Sequence, residues 1–331
     1  MQKRKFIAQS RLMRELLKEV EFVRYADCPV LIIGETGTGK EILADYIHEN
    51  SPRREKRFVK VSLSSLPGSL FESELFGHER GAYTGADKSQ TGFFEAAHNA
   101  TIFLDDIDDF PLHLQPKLLR VVENKELIRI GANNPIPSDV RIITSSKVEL
   151  KELVDKGTFR SDLFYRLSLF RLYIPPLRER KEDILLLLDH FMHIIKPNLD
   201  HQIDLSNVNT NILLDYDWHG NVRELRNFAE KLTLYPPSEV HNSFETIFTK
   251  YVQGNNSGEF HSTFLTTEKD SSRNKDSFEA KVENYKKSLI NNALKKSFGN
   301  VNLASRLLNM KSSTLRDMVI KYNIDPKQYK Q

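Results

Sequence analysis

The chain contains one cysteine, Cys28, in 331 residues. A single thiol excludes an internal disulfide and suits a reducing compartment, so a cytoplasmic protein is expected. Cys28 lies beside an apolar run and reads as a small core residue rather than a reactive thiol. No apolar run approaches the roughly 18 residues that a membrane span requires, so no membrane partner is expected. The basic start, Met1-Gln2-Lys3-Arg4-Lys5, leads into an apolar stretch too short for a signal peptide. Net charge is small, +3 at neutral pH, but unevenly spread: from Lys281 onward there are eleven Lys/Arg against three Asp/Glu. A basic C-terminal unit on a mildly acidic body fits either a separate nucleic-acid contact or a solvated basic face.

Glycine is also scarce, at 14 residues, yet Gly34, Gly37 and Gly39 fall close together. They belong to Gly34-Glu35-Thr36-Gly37-Thr38-Gly39-Lys40-Glu41, which follows the apolar run Val30–Ile33 and precedes the helix-like Ile42–Ile47. Strand, glycine-rich loop and helix make the setting of a phosphate-binding P-loop. Its backbone N–H groups curl around an anion, the helix N-terminus adds partial positive charge, and Lys40 supplies a full charge for the β- and γ-phosphates. Position 41 is Glu, where most P-loops place a Ser or Thr on Mg²⁺, so metal binding must lean on another carboxylate. The apolar strand Thr101-Ile102-Phe103-Leu104 ends in Asp105-Asp106. Asp105 is placed to hold Mg²⁺ and Asp106 to orient or deprotonate an attacking water.

Short β-branched runs at Val30–Ile33, Phe58–Leu63, Ile102–Leu104 and Val140–Ser145 alternate with helical segments, the pattern of an α/β domain with a parallel sheet. Helical patterning takes over in Glu182–Ile195 and Val222–Leu234, and Pro236-Pro237 ends that region. The expected divisions are an α/β core at 1–172, a helical region at 173–236, a linker at 237–277 and a small all-α domain at 278–331. Some helix is expected inside the linker near Phe244–Tyr251.

Beyond these motifs, Glu74-Leu75-Phe76-Gly77-His78-Glu79-Arg80-Gly81-Ala82-Tyr83-Thr84-Gly85-Ala86 closely resembles the signature of bacterial enhancer-binding proteins, the AAA+ ATPases that activate sigma-54 RNA polymerase. The resemblance continues through Pro175–Ile184 and Trp218–Arg226. It implies an AAA+ P-loop domain with a helical lid, an ATP and Mg²⁺ requirement, and assembly from dimers to a hexamer. Gly81–Ala86 resembles the family's GAFTGA loop with Tyr for Phe, which would bring Tyr83 and Thr84 to sigma-54. Phe159–Leu167 resembles the arginine-finger segment, so Arg160 and Arg166 would reach nucleotide on a neighbouring subunit. Arg223 matches the lid arginine that contacts nucleotide in its own subunit.

The pattern departs in three places. The family usually has Asp-Glu where this chain has Asp105-Asp106, and one methylene fewer withdraws the catalytic carboxylate by roughly 1.5 Å. Ser62 stands where an Asn usually restrains that acid. Ser146-Lys147 replaces a Thr-Asn pair, leaving the Ser146 hydroxyl available to the γ-phosphate but no amide. These changes keep a second reading open, a DNA-binding regulator with a degenerate ATPase that uses nucleotide only for assembly.

Three helices are expected near the C-terminus, at Tyr285–Ser297, Val301–Leu308 and Ser312–Tyr322, with Ala304 at a tight crossing. This spacing resembles the Fis-type helix-turn-helix domain that ends most enhancer-binding proteins, with double-stranded DNA as partner. Ser312, Ser313, Thr314 and Arg316 open the recognition helix. An interaction module of three helices is the alternative. No sensory domain is expected ahead of Phe6–Met13, which would leave regulation to a protein acting in trans, to another subunit or to expression level.

Overall fold

The computed structural model describes residues 6–196, 208–256 and, towards the C-terminus, 290, 293–294, 297, 299–308, 310–322 and 324. The chain divides into two compact units, Met1–His261 and Ser262–Gln331.

The first unit opens with helix α1 (Arg11–Val23), capped by the Ser10 hydroxyl accepting from the Met13 N–H. Met13, Leu16, Val20 and Val23 recur on one face of α1 and are buried. Five strands follow in the chain, interleaved with helices: β1 (Val30–Ile33), β2 (Phe58–Ser62), β3 (Thr101–Asp105), β6 (Arg141–Ser146) and β7 (Phe170–Tyr173). A small antiparallel pair, β4 (Glu126–Leu127) and β5 (Ile136–Pro137), stands apart from them. The main sheet runs β2-β3-β6-β1-β7 with every pairing parallel. All four residues of β1 are buried, as a strand covered on both faces requires.

Alternation along the strands splits the packing between two cores. Leu31, Ile33, Ile102, Leu104 and Ile142 face one core, shared with Phe76, Phe94, Leu118 and Leu163. Val30, Ile32, Phe103 and Ile143 face the other, shared with α1 and with Leu43, Ala44 and Ile47 of α2 (Lys40–Glu49). Because the strands are parallel, their C-terminal ends share one edge of the sheet. That edge carries Gly34, Ser62, Asp106 and Ser146, and it is where open α/β sheets bind ligands. The sequence pattern indicates four of these strands. It misses β7 because β7 is an edge strand in which only Leu172 is buried, so no apolar run marks it.

The helical lid packs around Trp218, which is fully buried and donates from Nε1 to the Leu213 carbonyl at 2.8 Å. Phe228 lies 5.2 Å from Phe248 and 5.1 Å from Tyr251, ring centre to ring centre. The linker expected from 237 onward is a helix in its first half. Pro237–Asn256 is helical, with a non-helical residue at Ser243. Val240, Phe244, Ile247, Phe248 and Tyr251 recur at helical spacing and join the lid core. Pro236-Pro237 therefore opens a helix instead of closing a region, since proline at the first helical turn costs no hydrogen bond. The remainder of that expected linker, 257–277, lies outside the described residues.

In the second unit, Val301–Leu307 and Ser312–Lys321 are helices. They pack through Ala304 and Leu315, both fully buried, with Leu294 and Val319. Gly299 takes φ +76° and donates to the Leu294 carbonyl, closing a preceding helical turn. The Asn300 Oδ1 then accepts from the N–H groups of Asn302 and Leu303, capping the next helix. Most of the helix expected at Tyr285–Ser297 falls outside the described residues.

The lid core makes a measurable contrast. Phe228→Ala should cost about 3–5 kcal/mol by transfer and cavity formation. Leu234→Ala, at a site 77% exposed, should stay within about 0.5 kcal/mol. Urea unfolding of the two variants checks the difference.

Candidate functional site

Lys40 is the first residue of α2 and is buried, with its Nζ 2.8 Å from the Gly34 carbonyl and 3.2 Å from that of Glu35. The ammonium thus sits inside the curve of the loop. Burial lowers its proton affinity, and the carboxylates of Asp105, Asp106 and Asp108 oppose that shift. Glu41 points to the sheet, where its Oε1 accepts from Lys60 Nζ at 3.0 Å.

The acid pair closes the pocket from β3. Burial raises the Asp105 carboxyl above its usual range, against a hydrogen bond donated by the Ser145 hydroxyl. The same Ser145 Oγ accepts from the Asp106 N–H at 3.1 Å. Asp106 itself takes the left-handed conformation, φ +59°, which asparagine-like side chains tolerate better than most. Its Oδ2 accepts from Ser64 Oγ at 3.1 Å, and Ser64 lies 3.3 Å from Ser62 Oγ. Ser62 therefore reaches the acid only through Ser64. Lys147 is turned away, with its Nζ 3.2 Å from Asp108 and 3.0 Å from Asp109. Ser146 Oγ donates to the Val148 carbonyl at 2.6 Å, so its hydroxyl is engaged in its own turn.

Asp105 fits a hard divalent cation. Mg²⁺ commonly takes one or two carboxylates together with phosphate oxygens and water, which a single half-buried acid at a strand end suits. Among the described residues no group of three or more His, Cys, Asp or Glu could hold a metal by itself.

The loop is gripped from the opposite side by the lid. Arg178 donates to both Glu35 carboxylate oxygens, at 2.9 and 2.6 Å. Asn221 Nδ2 donates to Glu35 Oε2 and to the Thr36 carbonyl, each at 3.1 Å. The Arg223 N–H donates to the Gly37 carbonyl at 3.3 Å and Arg180 Nη2 to the Thr38 carbonyl at 2.8 Å. Gly37 has no room for a side chain here: a Cβ would lie 2.3 Å from the Gly220 carbonyl oxygen. The Arg178 guanidinium pulls the Glu35 carboxyl down to about 2, helped by Asn221 and opposed by partial burial.

Residues 81–86 form a projecting turn. Gly81 and Gly85 take φ +82° and +100°, which only glycine adopts without strain. Gly81 N–H bonds the Ala86 carbonyl at 2.8 Å. Tyr83 and Thr84 are exposed at the tip, and the Tyr83 ring lies 5.1 Å from that of buried His78. The base of the turn is braced by Ile130, whose carbonyl accepts from Glu79, and by Arg129, which pairs with Glu79 and Glu95. Arg160 and Arg166 lie elsewhere on the surface, paired with Asp162 and Glu123. In the second unit Ser313, Thr314 and Arg316 are exposed. Ser312 Oγ instead lies 2.9 Å from Ser305 Oγ, and Arg316 Nη2 is 3.4 Å from Asn302 Oδ1.

Sequence reasoning assigned no role to Ser64, Ser145, Arg178, Arg180 or Asn221. Arg178, Arg180 and Asn221 do stand inside the quoted stretches Pro175–Ile184 and Trp218–Arg226, which is the only signal that could have found them.

The family model for the sigma-54 interaction domain matches residues 6–173, and that for an AAA+ ATPase lid domain matches residues 178–259. The regulatory protein AtoC of Escherichia coli is 38% identical over 327 residues, covering 97% of this chain and 68% of AtoC. The DNA-binding transcriptional activator HyfR of Escherichia coli is 49% identical over 229 residues, covering 69% of this chain but 34% of HyfR. The chain thus spans about a third of the length of some of these relatives. The crystal structure of NtrX from Brucella abortus in complex with ATP superposes with a TM-score of 0.67 at 27% identity, covering 97% of this chain and 70% of that one.

The Glu35 pair carries a pH signature. Its folded value lies below the ordinary carboxylate range, so its stabilisation is present above about pH 4.3 and disappears as pH falls towards 2. The difference in melting temperature between the wild type and Glu35→Gln should therefore be full at pH 6 and shrink steadily below pH 4. Thermal melts across that range measure it.

Proposed function

The chain belongs to the sigma-54 interaction family of AAA+ ATPases, and from that premise we propose that it is an ATP-hydrolysing activator of sigma-54 RNA polymerase. The observation that carries the proposal is the juxtaposition of Lys40 with Asp105 and Asp106 at the sheet edge, beside a separate projecting turn that exposes Tyr83 and Thr84.

ATP is the substrate. Residues Gly34–Glu41 wrap its phosphates, with Lys40 neutralising the β- and γ-oxygens and Arg223 approaching from the lid. Asp105 would hold Mg²⁺, whose charge would offset that developing on the phosphate oxygens. Asp106 orients the attacking water and accepts its proton. Arg160 and Arg166 are exposed and lie on the helix Ser161–Leu167 or at its cap, which suits action on nucleotide held by a neighbouring copy. Fixed positive charge supplied across an interface stabilises the transferring phosphoryl group and makes turnover depend on assembly, from dimers to a hexamer.

Hydrolysis then moves the Gly81–Ala86 turn, and Tyr83 and Thr84 contact sigma-54 to remodel the closed promoter complex. The Glu79 N–H donates to the Ile130 carbonyl and the Ile130 N–H to the Gly77 carbonyl, which ties the base of the turn to the segment that follows β4. The second unit reads double-stranded DNA as a Fis-type helix-turn-helix. Its packed crossing at Ala304 and the exposed Ser313, Thr314 and Arg316 support that reading. Ser312, turned to Ser305, would serve as a brace at the start of the recognition helix. Control by a regulatory protein acting in trans belongs to the same proposal.

One observation favours a second reading. Asp106 is short and held by Ser64, and Lys147 is tied to Asp108 and Asp109. A regulator that binds nucleotide for assembly without hydrolysing it would show the same features. Steady-state ATPase separates the two: the first expects turnover well above background in the wild type, and the second expects background turnover that Asp106→Glu raises.

Coupling is tested by a pair of variants. Lys40→Ala should abolish nucleotide binding and transcription activation together. Thr84→Ala should keep ATPase activity within about twofold and still lose activation, because Thr84 lies on the turn and not among the phosphate-binding groups. Full activation by Thr84→Ala on a sigma-54 promoter would remove the turn from the mechanism.

A further inference from the structure

Four consecutive residues of the phosphate loop are held by the lid: Glu35 through its side chain, and Thr36, Gly37 and Thr38 through their carbonyl oxygens. A trans peptide opposes each C=O to the N–H of the next residue. Carbonyls pinned on the lid side therefore aim the Gly37 and Gly39 N–H groups to the opposite side, where a phosphate chain would lie, while the Thr38 N–H closes the turn on the Glu35 carbonyl. The loop's shape is set from behind by Arg178, Arg180, Asn221 and the Arg223 backbone.

Glu35 is the anomaly in this arrangement. It puts a carboxylate into a loop whose task is to hold polyanions. Both of its oxygens are occupied by Arg178, and Asn221 adds a third bond. Asn221 is itself fully buried, takes φ +54°, and accepts from the Leu177 N–H at 2.8 Å, so its amide has one available orientation. The paired charges cancel locally, and the carboxylate faces the lid.

We propose that Glu35 is a positioning residue whose latch to Arg178 and Asn221, rather than any contact with the ligand, sets how tightly the loop holds a nucleoside diphosphate and how fast it lets it go. This rests on the nucleotide site proposed above. Breaking the latch by two routes has unequal consequences. Glu35→Gln removes charge and loosens the grip while leaving a neutral side chain. Arg178→Ala removes two of the three bonds and leaves the carboxylate without a counter-charge, held by Asn221 alone, so that it repels the phosphates.

The experiment titrates the full chain with N-methylanthraniloyl-ADP and follows dissociation by stopped flow. Glu35→Gln should raise the Kd about threefold to tenfold through faster release. Arg178→Ala should raise it further, and the double variant should bind better than Arg178→Ala alone. Arg178→Lys, which keeps the charge but loses the two-point fork, should fall between wild type and Arg178→Ala. Thermal melts at neutral pH confirm that each variant is folded. Affinities of Glu35→Gln and Arg178→Ala within twofold of wild type, with binding lost in Lys40→Ala, would overturn the latch. A double variant no tighter than Arg178→Ala would overturn the electrostatic part. Undiminished binding in Lys40→Ala would instead overturn the nucleotide site itself.

Discussion

The fold turns on the grip between the lid and the phosphate loop. A glycine-rich loop has many backbone conformations available, and cradling an anion needs one of them. Here the choice is made by hydrogen bonds from residues far along the chain: Arg178 and Asn221 on Glu35, Arg180 on Thr38, the Arg223 backbone on Gly37. Leu177, Trp218 and Leu225 of the lid core flank those groups in the chain. Trp218 and Phe228 are fully buried within that core, and Gly220 and Asn221 follow Trp218 at the point of contact. Any motion of the lid is therefore felt directly at the loop.

The opposite wall of the pocket is built from hydroxyls. Ser145 bridges the two acids, donating to Asp105 and accepting from the Asp106 backbone. Ser64 holds the Asp106 carboxylate and is itself in reach of Ser62. An aspartate with a short side chain sits in a left-handed conformation, and a serine two residues beyond the strand end comes forward to meet it. The shorter acid and the shorter strand-end residue are thus parts of one local arrangement. A hydroxyl offers a carboxylate one donor where an amide offers two, so Ser64 restrains Asp106 through a single bond.

Much of this was legible in the chain itself. Glycine spacing after Val30–Ile33, acids after Thr101–Leu104 and the stretch Gly81–Ala86 identify the nucleotide loop, the acid pair and the projecting turn, because each is local and its chemistry depends on residue order. The same holds for the helix Glu182–Ile195, whose apolar stripe is continuous. Patterning failed where burial is one-sided or begins at a proline. The edge strand β7 hides a single residue, and the helix after Pro236 looks like a polar linker until its five apolar positions meet Phe228 and Trp218.

Sequence alone determined where these groups fall along the chain: Lys40 opens the helix after β1, and Asp105 and Asp106 end β3, because parallel strands connected by helices bring their C-terminal ends to one edge. Only the tertiary structure decided what those residues and their neighbours do to one another. Glu35 reads as part of a nucleotide-binding motif, yet its carboxylate is turned to Arg178. Lys147 reads as a loss beside the phosphates, yet it is bound to Asp108 and Asp109. Ser62 reads as the residue facing the acid, yet Ser64 stands between them. The reason is physical. Order along a strand fixes which end a residue occupies, whereas the direction of a side chain is settled by the strongest partner within hydrogen-bonding reach, and here several of those partners lie more than a hundred residues away.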